Sequence, residues 1–143
     1  MLRISKLTDY AMLVMSYMAK SPDVILSAPA LSEALHLTVP TVSKVLKMLS
    51  EAKLVHSIRG AEGGYSLARA SDEVTVLDII MAIEGDFAMT ECCEKVSYCA
   101  IDSVCTMQAN WKKINKVIIA LLKKLTIMDM AHPLSLQGLL HGK

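Results

Sequence analysis

Residues 38–67, TVPTVSKVLKMLSEAKLVHSIRGAEGGYSL, contain the pattern that decides the fold. Thr38 can cap a helix whose second residue is Pro40, at a position where a missing backbone N–H costs nothing. Apolar residues then recur at the spacing of a helix core face, and these are Val42, Val45, Leu46 and Leu49. The period changes around the glycine-rich run 59–64, which is flanked by short apolar stretches and is typical of a β-hairpin. Because a shorter helix beginning at Ser27 precedes this stretch, the sequence predicts a helix-turn-helix followed by a wing.

Outward from this stretch the chain remains helical. Ser5 or Thr8 can cap a first helix that runs to about Lys20, and Thr75 with Asp78 can form the capping box of a later one. The predicted fold class is mostly α with a small β-hairpin wing, that is, a winged helix-turn-helix plus a long C-terminal dimerisation helix. The predicted division is a winged helix-turn-helix DNA-binding domain (1–70), a connecting helix (71–85), a cysteine loop (86–105), a dimerisation helix (106–131) and a flexible tail (132–143).

Composition and charge narrow the class of protein. The chain is 53% hydrophobic but only 4% aromatic, which favours an aliphatic helical core. No apolar run approaches the roughly 20 residues of a membrane span, and the N-terminus lacks a secretion signal, so we expect a cytoplasmic protein without a membrane partner. The net charge of +1 divides into +3 over residues 1–70, −7 over 71–110 and +5 over 111–143. An acidic middle segment would keep nucleic-acid phosphates away from it, whereas the first segment could receive them.

All four cysteines lie within the acidic segment. Cys93, Cys99 and Cys105 have five residues between each pair, and Cys92 directly precedes them. A chain of this size can build a core without disulfides, and the spacing differs from the paired C-x2-C of structural zinc sites. Thiolates are the usual ligands of iron–sulfur clusters, so three of them predict a cluster site or a redox-active loop. Cys92 is the alternative to Cys93, because adjacent residues rarely both point at one cluster.

Three motifs together resemble the IscR/NsrR class of bacterial iron–sulfur transcriptional regulators, of the Rrf type. They are the run 2–11 (LRISKLTDYA), the wing 59–68 (RGAEGGYSLA) and the spacing of Cys93, Cys99 and Cys105. Within that class the chain is most similar to regulators of the SUF iron–sulfur assembly operons. The resemblance implies a homodimer in which the long C-terminal helix crosses the partner. It also implies a cluster, 2Fe–2S or 4Fe–4S, that tunes the affinity for DNA and that an aerobic preparation can lose.

The fourth ligand of such a cluster is left open by the sequence. Gln108 occupies the place where the IscR branch has a histidine, which puts an IscR-like two-iron cluster in doubt. Asp9 matches the aspartate by which the partner subunit completes a four-iron cluster in the NsrR branch. The other interpretation of Asp9 is an acidic residue that stabilises a helix start through the helix dipole.

The predicted DNA-binding residues fall on the second helix of the motif and on the wing. Those on the helix are Thr38, Pro40, Thr41, Ser43, Lys44 and Lys47, and those on the wing are Arg59, Gly60, Gly63, Gly64 and Tyr65. For Thr38 a capping role is favoured over DNA contact, and Tyr65 either reaches a phosphate or packs. Arg59 resembles the arginine that the family inserts into the minor groove, where a narrow groove concentrates negative potential.

The predicted function follows from the DNA-binding residues and the cysteine site together. We expect a repressor of iron–sulfur cluster assembly genes that is not an enzyme, since no catalytic constellation is present. The predicted dimerisation residues share one face of the C-terminal helix, and they are Trp111, Ile114, Val117, Ile118, Leu121, Leu122 and Leu125. The alternatives are a repressor of the same family that responds to nitric oxide or thiol oxidation, and an iron–sulfur or zinc scaffold that binds protein but not DNA.

Overall fold

The structure, a computed structural model, describes residues 3–96, 99–135 and 137–140, with the side chains of residues 139 and 140 left out. The chain folds into seven α-helices, one hairpin and a short 3₁₀ helix within these residues. In order they are α1 (Lys6–Ala19), α2 (Ala28–Leu35), α3 (Val39–Glu51), β1 (Val55–Ile58), β2 (Gly64–Leu67), α4 (Val76–Glu84), the 3₁₀ helix (Glu91–Cys93), α5 (Gln108–Lys124), α6 (Ile127–Met130) and α7 (Gln137–Leu140). The predicted fold class is confirmed: the molecule is mostly helical, with a two-stranded wing after the second helix of a helix-turn-helix.

The first four helices begin at capping side chains. Ser5, Ser27, Thr38 and Thr75 each accept a hydrogen bond from the backbone N–H three residues on. Such caps satisfy donors that have no partner inside the helix. Of the two candidates for α1, Ser5 is the cap. At α4 the Asp78 side chain bonds back to the cap residue, which confirms the predicted capping box.

The wing is attached to the rest of the domain by backbone hydrogen bonds. Val55 lies opposite Leu67 in the antiparallel pair of β1 and β2. Tyr65 and Leu26 exchange two backbone hydrogen bonds of 2.8 and 2.9 Å, so the segment before α2 adds one rung to the outer edge of β2. The hairpin is therefore held from both sides, by its own pairing and by this bridge.

One hydrophobic core lies beneath these elements. Its buried residues come chiefly from α1 and α3, and include Met15, Met18, Leu31, Leu46, Leu49 and Ile79. A smaller cluster joins Val76 and Ile80 of α4 to Leu125, which directly follows α5. In the part of the chain described, none of the helices is both long and apolar enough to cross a membrane.

The predicted dimerisation helix over 106–131 is divided into two helices in the structure. The helix α5 ends at Lys124, and Leu125 takes an extended conformation with its side chain 9% exposed. Thr126 then begins α6 through a capping box with Asp129. The segment at the start of α4, about 50 residues earlier in the chain, stabilises this break between α5 and α6. The Val76 amide donates to the Leu125 carbonyl at 2.8 Å, and the Ile127 amide donates to the Val74 carbonyl at 2.9 Å.

The predicted tail is partly ordered. Residues 137–140 form α7, although no helix was predicted after 132. The part of the predicted tail that lies outside the described residues comprises Leu136 and residues 141–143. Ser97 and Tyr98 of the predicted cysteine loop lie outside the described residues as well.

Candidate nucleic-acid interface and cysteine segment

The start of α3 is built around a pair of hydroxyl groups. Thr38 Oγ1 accepts from the Thr41 backbone N–H at 3.4 Å and pairs with the Thr41 hydroxyl at 2.7 Å. Both hydroxyls are thus engaged within the helix, and Thr41 is half-buried. This supports the capping interpretation of Thr38.

The outer face of α3 is open. Val42, Val45, Leu46 and Leu49 are fully buried, and they fix the helix against the core. The residues predicted to meet DNA lie on the opposite side and are exposed, namely Pro40, Ser43, Lys44 and Lys47. The structure adds Val39, which is 41% exposed at the first position of the helix and was not predicted. In the sequence Val39 fits the core spacing of α3, three residues before Val42 and seven before Leu46, so the sequence carried no signal of its exposure.

The wing tip presents one arginine. Arg59 is exposed at the start of the turn, and neither of the two salt bridges found among the described residues involves it. Gly60 follows with φ +123°, a conformation that L side chains rarely adopt. A Cβ on Gly63 would lie 2.5 Å from the Ile58 carbonyl oxygen, so the turn closes too tightly for a side chain. These glycines fix the turn, and Arg59 is left free of a salt bridge at its edge.

Gly64 and Tyr65 have structural roles in the wing. A Cβ on Gly64 would lie 2.7 Å from the Leu26 carbonyl oxygen, so only glycine allows this approach of two backbones. The Tyr65 side chain is half-buried against the main core. The packing interpretation of Tyr65 therefore accounts for its ring.

The cysteines are free thiols in unequal surroundings. Cys92 is buried, at 8% exposure, whereas Cys93, Cys99 and Cys105 are half-buried. Thr90 Oγ1 lies 3.2 Å from the Sγ atoms of both Cys92 and Cys93. Across residues 3–96, 99–135 and 137–140, no three Cys, His, Asp or Glu side chains form a group that could hold a metal ion. Thiols are suitable ligands for an iron–sulfur cluster, but the described thiols are not brought together in this conformation.

The first part of the cysteine segment packs on α5. Asn115, which is 7% exposed, accepts a hydrogen bond from the Met89 amide at 3.0 Å. A surface cavity of about 350 Å³ is lined by both adjacent cysteines and by Lys112 and Lys116. The acidic segment thus lies beside the basic side of α5, in agreement with the division of charge along the chain.

Gln108 and Asp9, the two residues on which the question of a fourth ligand depends, lie in different surroundings. The Gln108 side-chain amide donates to the Asp102 carboxylate, so it is engaged within its own segment. Asp9 is exposed in the first turn of α1 and lines a cavity of about 280 Å³ with residues of α1, α2 and α6. None of the cysteines lines that cavity.

A carboxylate next to the predicted site ties two helices together. Glu84, the last residue of α4, accepts hydrogen bonds from the Ser5 amide at 3.1 Å and from the hydroxyl of the fully buried Thr8. The hydrogen bonds from Ser5 and then Thr8 hold the pKa of the Glu84 carboxyl below its usual value, against a smaller opposing effect of burial. The start of α1 is thereby joined to the end of α4, just before the cysteine segment.

The apolar face of α5 is largely uncovered. Trp111, Ile114, Val117 and Leu121 are between 36% and 69% exposed, and Ile118 and Leu122 are half-buried. The prediction that Leu125 belongs to this face is wrong, because Leu125 packs against Val76 and Ile80 inside the protomer. The remaining face is the exposed half of an amphipathic helix.

Comparisons with known proteins agree with this geometry. The family model described as "Rrf2: Iron-dependent Transcriptional regulator" matches residues 4–133. A regulator named NsrR from Oceanobacillus iheyensis is 31% identical over 126 residues, which cover 87% of this chain and 84% of that protein. The solved structure of CymR, described as the global cysteine regulator of B. subtilis, is 28% identical with a TM-score of 0.73 and covers 92% of this chain and 97% of its own. The structure of IscR from T. potens is 28% identical with a TM-score of 0.69, covering 90% and 85%.

Proposed function

The chain belongs to the Rrf2 family of transcriptional regulators, and from this premise we propose that it is a cytoplasmic, homodimeric repressor of iron–sulfur cluster assembly genes. The observation that carries the DNA-binding half is the outer face of α3 beside the wing. Ser43, Lys44 and Lys47 are exposed on one side of a helix whose other side is anchored in the core, and Arg59 is exposed at the wing tip. A recognition helix of this kind enters the major groove with its N-terminal residues at the base edges.

The positive charges on α3 and on the wing suggest which part of the DNA each side chain contacts. Lys44 and Lys47 contact phosphates or base edges, and Arg59 enters the adjacent minor groove. Two such units are set at a fixed distance when two copies of α5 pack through the exposed face that contains Val117. The binding site is then two half-sites related by the symmetry of the dimer.

The sensing half of the proposal is a labile iron–sulfur cluster on Cys93, Cys99 and Cys105. It is supported by the type of donor, by the free state of the thiols and by the iron dependence in the description of the family. Asp9 of the partner is the candidate for the fourth position. Because the described thiols do not converge, cluster binding requires Cys93, Cys99 and Cys105 to move closer together. When bound, a cluster would supply a redox-active group that oxygen or nitric oxide can attack.

The first experiment is a visible spectrum of anaerobically purified protein, with iron and acid-labile sulfide analysis. We expect broad absorption between about 300 and 450 nm and a ratio of iron to sulfide near one. Protein that stays colourless after reconstitution with iron and sulfide would contradict the cluster.

DNA binding is tested separately, by selecting duplexes from a random-sequence library with the purified chain. Replacing Arg59 by Ala should weaken binding to a selected duplex by about 1–3 kcal/mol, and Lys44→Ala should weaken it and reduce its salt dependence. The matched control is Glu62→Gln, a charge change in the same exposed turn. If both variants bind as the unaltered chain does, the α3–wing surface does not bind DNA and a protein-binding scaffold becomes the better explanation.

One observation favours a second candidate signal, which is direct oxidation of thiols. Two adjacent thiols share the Thr90 hydroxyl, and one of them is half-buried beside Lys112 and Lys116. A chain that binds DNA but never takes up iron, and whose binding changes on treatment with peroxide, would match this candidate.

A further inference from the structure

Neither packing in the core nor helix formation explains why a valine occupies position 39. It occupies the first position of α3 and is 41% exposed. It is absent from both hydrophobic clusters, whereas four other aliphatic residues of the same helix are fully buried. Valine is also a weaker helix former than alanine, so helix formation does not require it at an exposed position.

Val39 lies at the border between the buried face of α3 and the predicted DNA-binding face, because the buried Val42 and Leu46 follow it at core spacing. Residues four apart lie on the same side of a helix, so Val39, Ser43 and Lys47 form one stripe along α3. All three are exposed, and the stripe begins at the end of the helix that leads into the groove. Pro40, which is also exposed, adds a second apolar group beside Val39.

The hydroxyl groups nearest to Val39 are paired with each other. Thr38 and Thr41 are hydrogen-bonded at 2.7 Å. Val39 and Pro40 form an apolar patch at the start of α3, between the exposed Thr38 and Ser43. A polar base edge placed against Val39 and Pro40 would lose water without gaining a hydrogen bond from either side chain, which costs free energy.

Thymine is the base that offers an apolar group to the major groove, through its C5 methyl. We propose that Val39 is a specificity-determining residue that packs on a thymine C5 methyl group, at the end of each half-site read by the first turn of α3. This inference rests on the proposed DNA-binding function and adds the kind of base pair that the first turn selects, an A·T pair with its thymine methyl facing the helix.

The test uses uracil, which differs from thymine only by lacking this methyl. Duplexes are first selected from a random-sequence library with the full chain, in its iron-reconstituted and iron-free forms. Each thymine of a selected half-site is then replaced singly by uracil, and affinity is measured by fluorescence anisotropy. For the unaltered chain we expect one replacement to weaken binding about fourfold, the effect of one buried methyl group. For Val39→Ala the same replacement should have almost no effect, while replacements elsewhere keep theirs.

Val24→Ala is the matched control, since Val24 is an exposed valine (47%) outside α3 and should leave the uracil effect intact. Val39→Thr, which retains one methyl and the shape of the side chain, should retain part of the effect. The inference is overturned if every uracil replacement is neutral, or if Val39→Ala keeps the full penalty. Selection of no duplex by either form would overturn the proposed function, and this inference with it. If duplexes are selected but the effect of uracil does not depend on Val39, only the proposed role of Val39 is overturned.

Discussion

Cys92 and Cys93 are adjacent in the chain yet differ in what surrounds them. Both belong to the 3₁₀ helix, but Cys92 is buried and lines one cavity, whereas Cys93 is half-buried and lines two. Cys93 also keeps the five-residue spacing to Cys99. We therefore expect Cys93→Ala to remove the visible absorption of reconstituted protein, and Cys92→Ala to retain it.

The measurement is iron content together with the spectrum after identical reconstitution of each variant. Loss of Cys93 should lower the affinity for iron at least as much as the roughly 10–100-fold that loss of a supporting residue costs. The reverse result, with Cys92→Ala colourless and Cys93→Ala coloured, would assign the ligand to the buried thiol. It would also require the 3₁₀ helix to unwind when the cluster binds.

At the scale of elements, Glu84 joins two helices that are distant in the chain. Because hydrogen bonds from Ser5 and Thr8 depress the folded-state pKa of Glu84, its ionised form stabilises the fold above its unfolded-state pKa, near 4.3. This contribution is lost as the pH falls through the lower folded-state pKa. The side chain is exposed, so we expect Glu84→Gln to reduce the free energy of unfolding by no more than about 1 kcal/mol at pH 7.

Urea unfolding of both proteins between pH 7 and pH 3 measures this effect. The difference in free energy of unfolding should be constant near neutrality and shrink towards zero below about pH 4. Glu33→Gln, a change of another exposed glutamate, controls for net charge. A Glu84→Gln difference that persists undiminished at pH 3 would show that the charge of Glu84 is not the cause.

The attachment of the wing depends on Gly64. A methyl group there would lie 2.7 Å from the Leu26 carbonyl oxygen, and neither backbone can move without breaking the Leu26–Tyr65 hydrogen bonds. Gly64→Ala should therefore destabilise the chain by about 1–3 kcal/mol in denaturant unfolding. The control is Gly138→Ala, where an added Cβ meets nothing within 4 Å. Equal stability of the two variants would contradict the tight approach of the wing to Leu26.

These elements also show what local sequence could predict. The caps at Ser27, Thr38 and Thr75 depend on residues within one turn, and the sequence located them. The choice of Ser5 over Thr8 at α1 depends on Glu84, which is 76 residues beyond Thr8. The apolar periodicity ended at Leu125, close to the observed end of α5, but the break after it depends on hydrogen bonds from the segment around Thr75, so the segment 106–131 was predicted as one helix. Thr126 and Asp129 form the same capping box as Thr75 and Asp78, and this pattern could have located the break.

At the scale of the whole molecule, the protomer presents two kinds of exposed surface. One is the polar and basic outer face of α3 with the wing, and the other is the apolar face of α5. An exposed apolar face of a helix marks an interface more often than solvent-facing surface. The thiols of residues 92 and 93 lie beside α5, and Glu84 connects the start of the cysteine segment to α1. A change in that segment can therefore reach both the apolar face of α5 and the helix on which α3 packs.

Val117 is the most exposed apolar residue of α5, at 69%. If two copies of α5 pack through this face, Val117→Glu places an unpaired charge in the interface. That change should weaken the dimer by about 3 kcal/mol or more, or over a hundredfold in dissociation constant. Sedimentation velocity should then show a monomer with unchanged helical circular dichroism, because Val117 contributes nothing to the protomer core. Val24→Glu, a change of another exposed valine, should remain dimeric.

The affinity of Val117→Glu for a two-half-site duplex should fall when dimerisation is lost, since each α3–wing unit then binds alone. A Val117→Glu protein that stays dimeric and binds DNA normally would place the interface elsewhere, and the apolar face of α5 would then require a different partner.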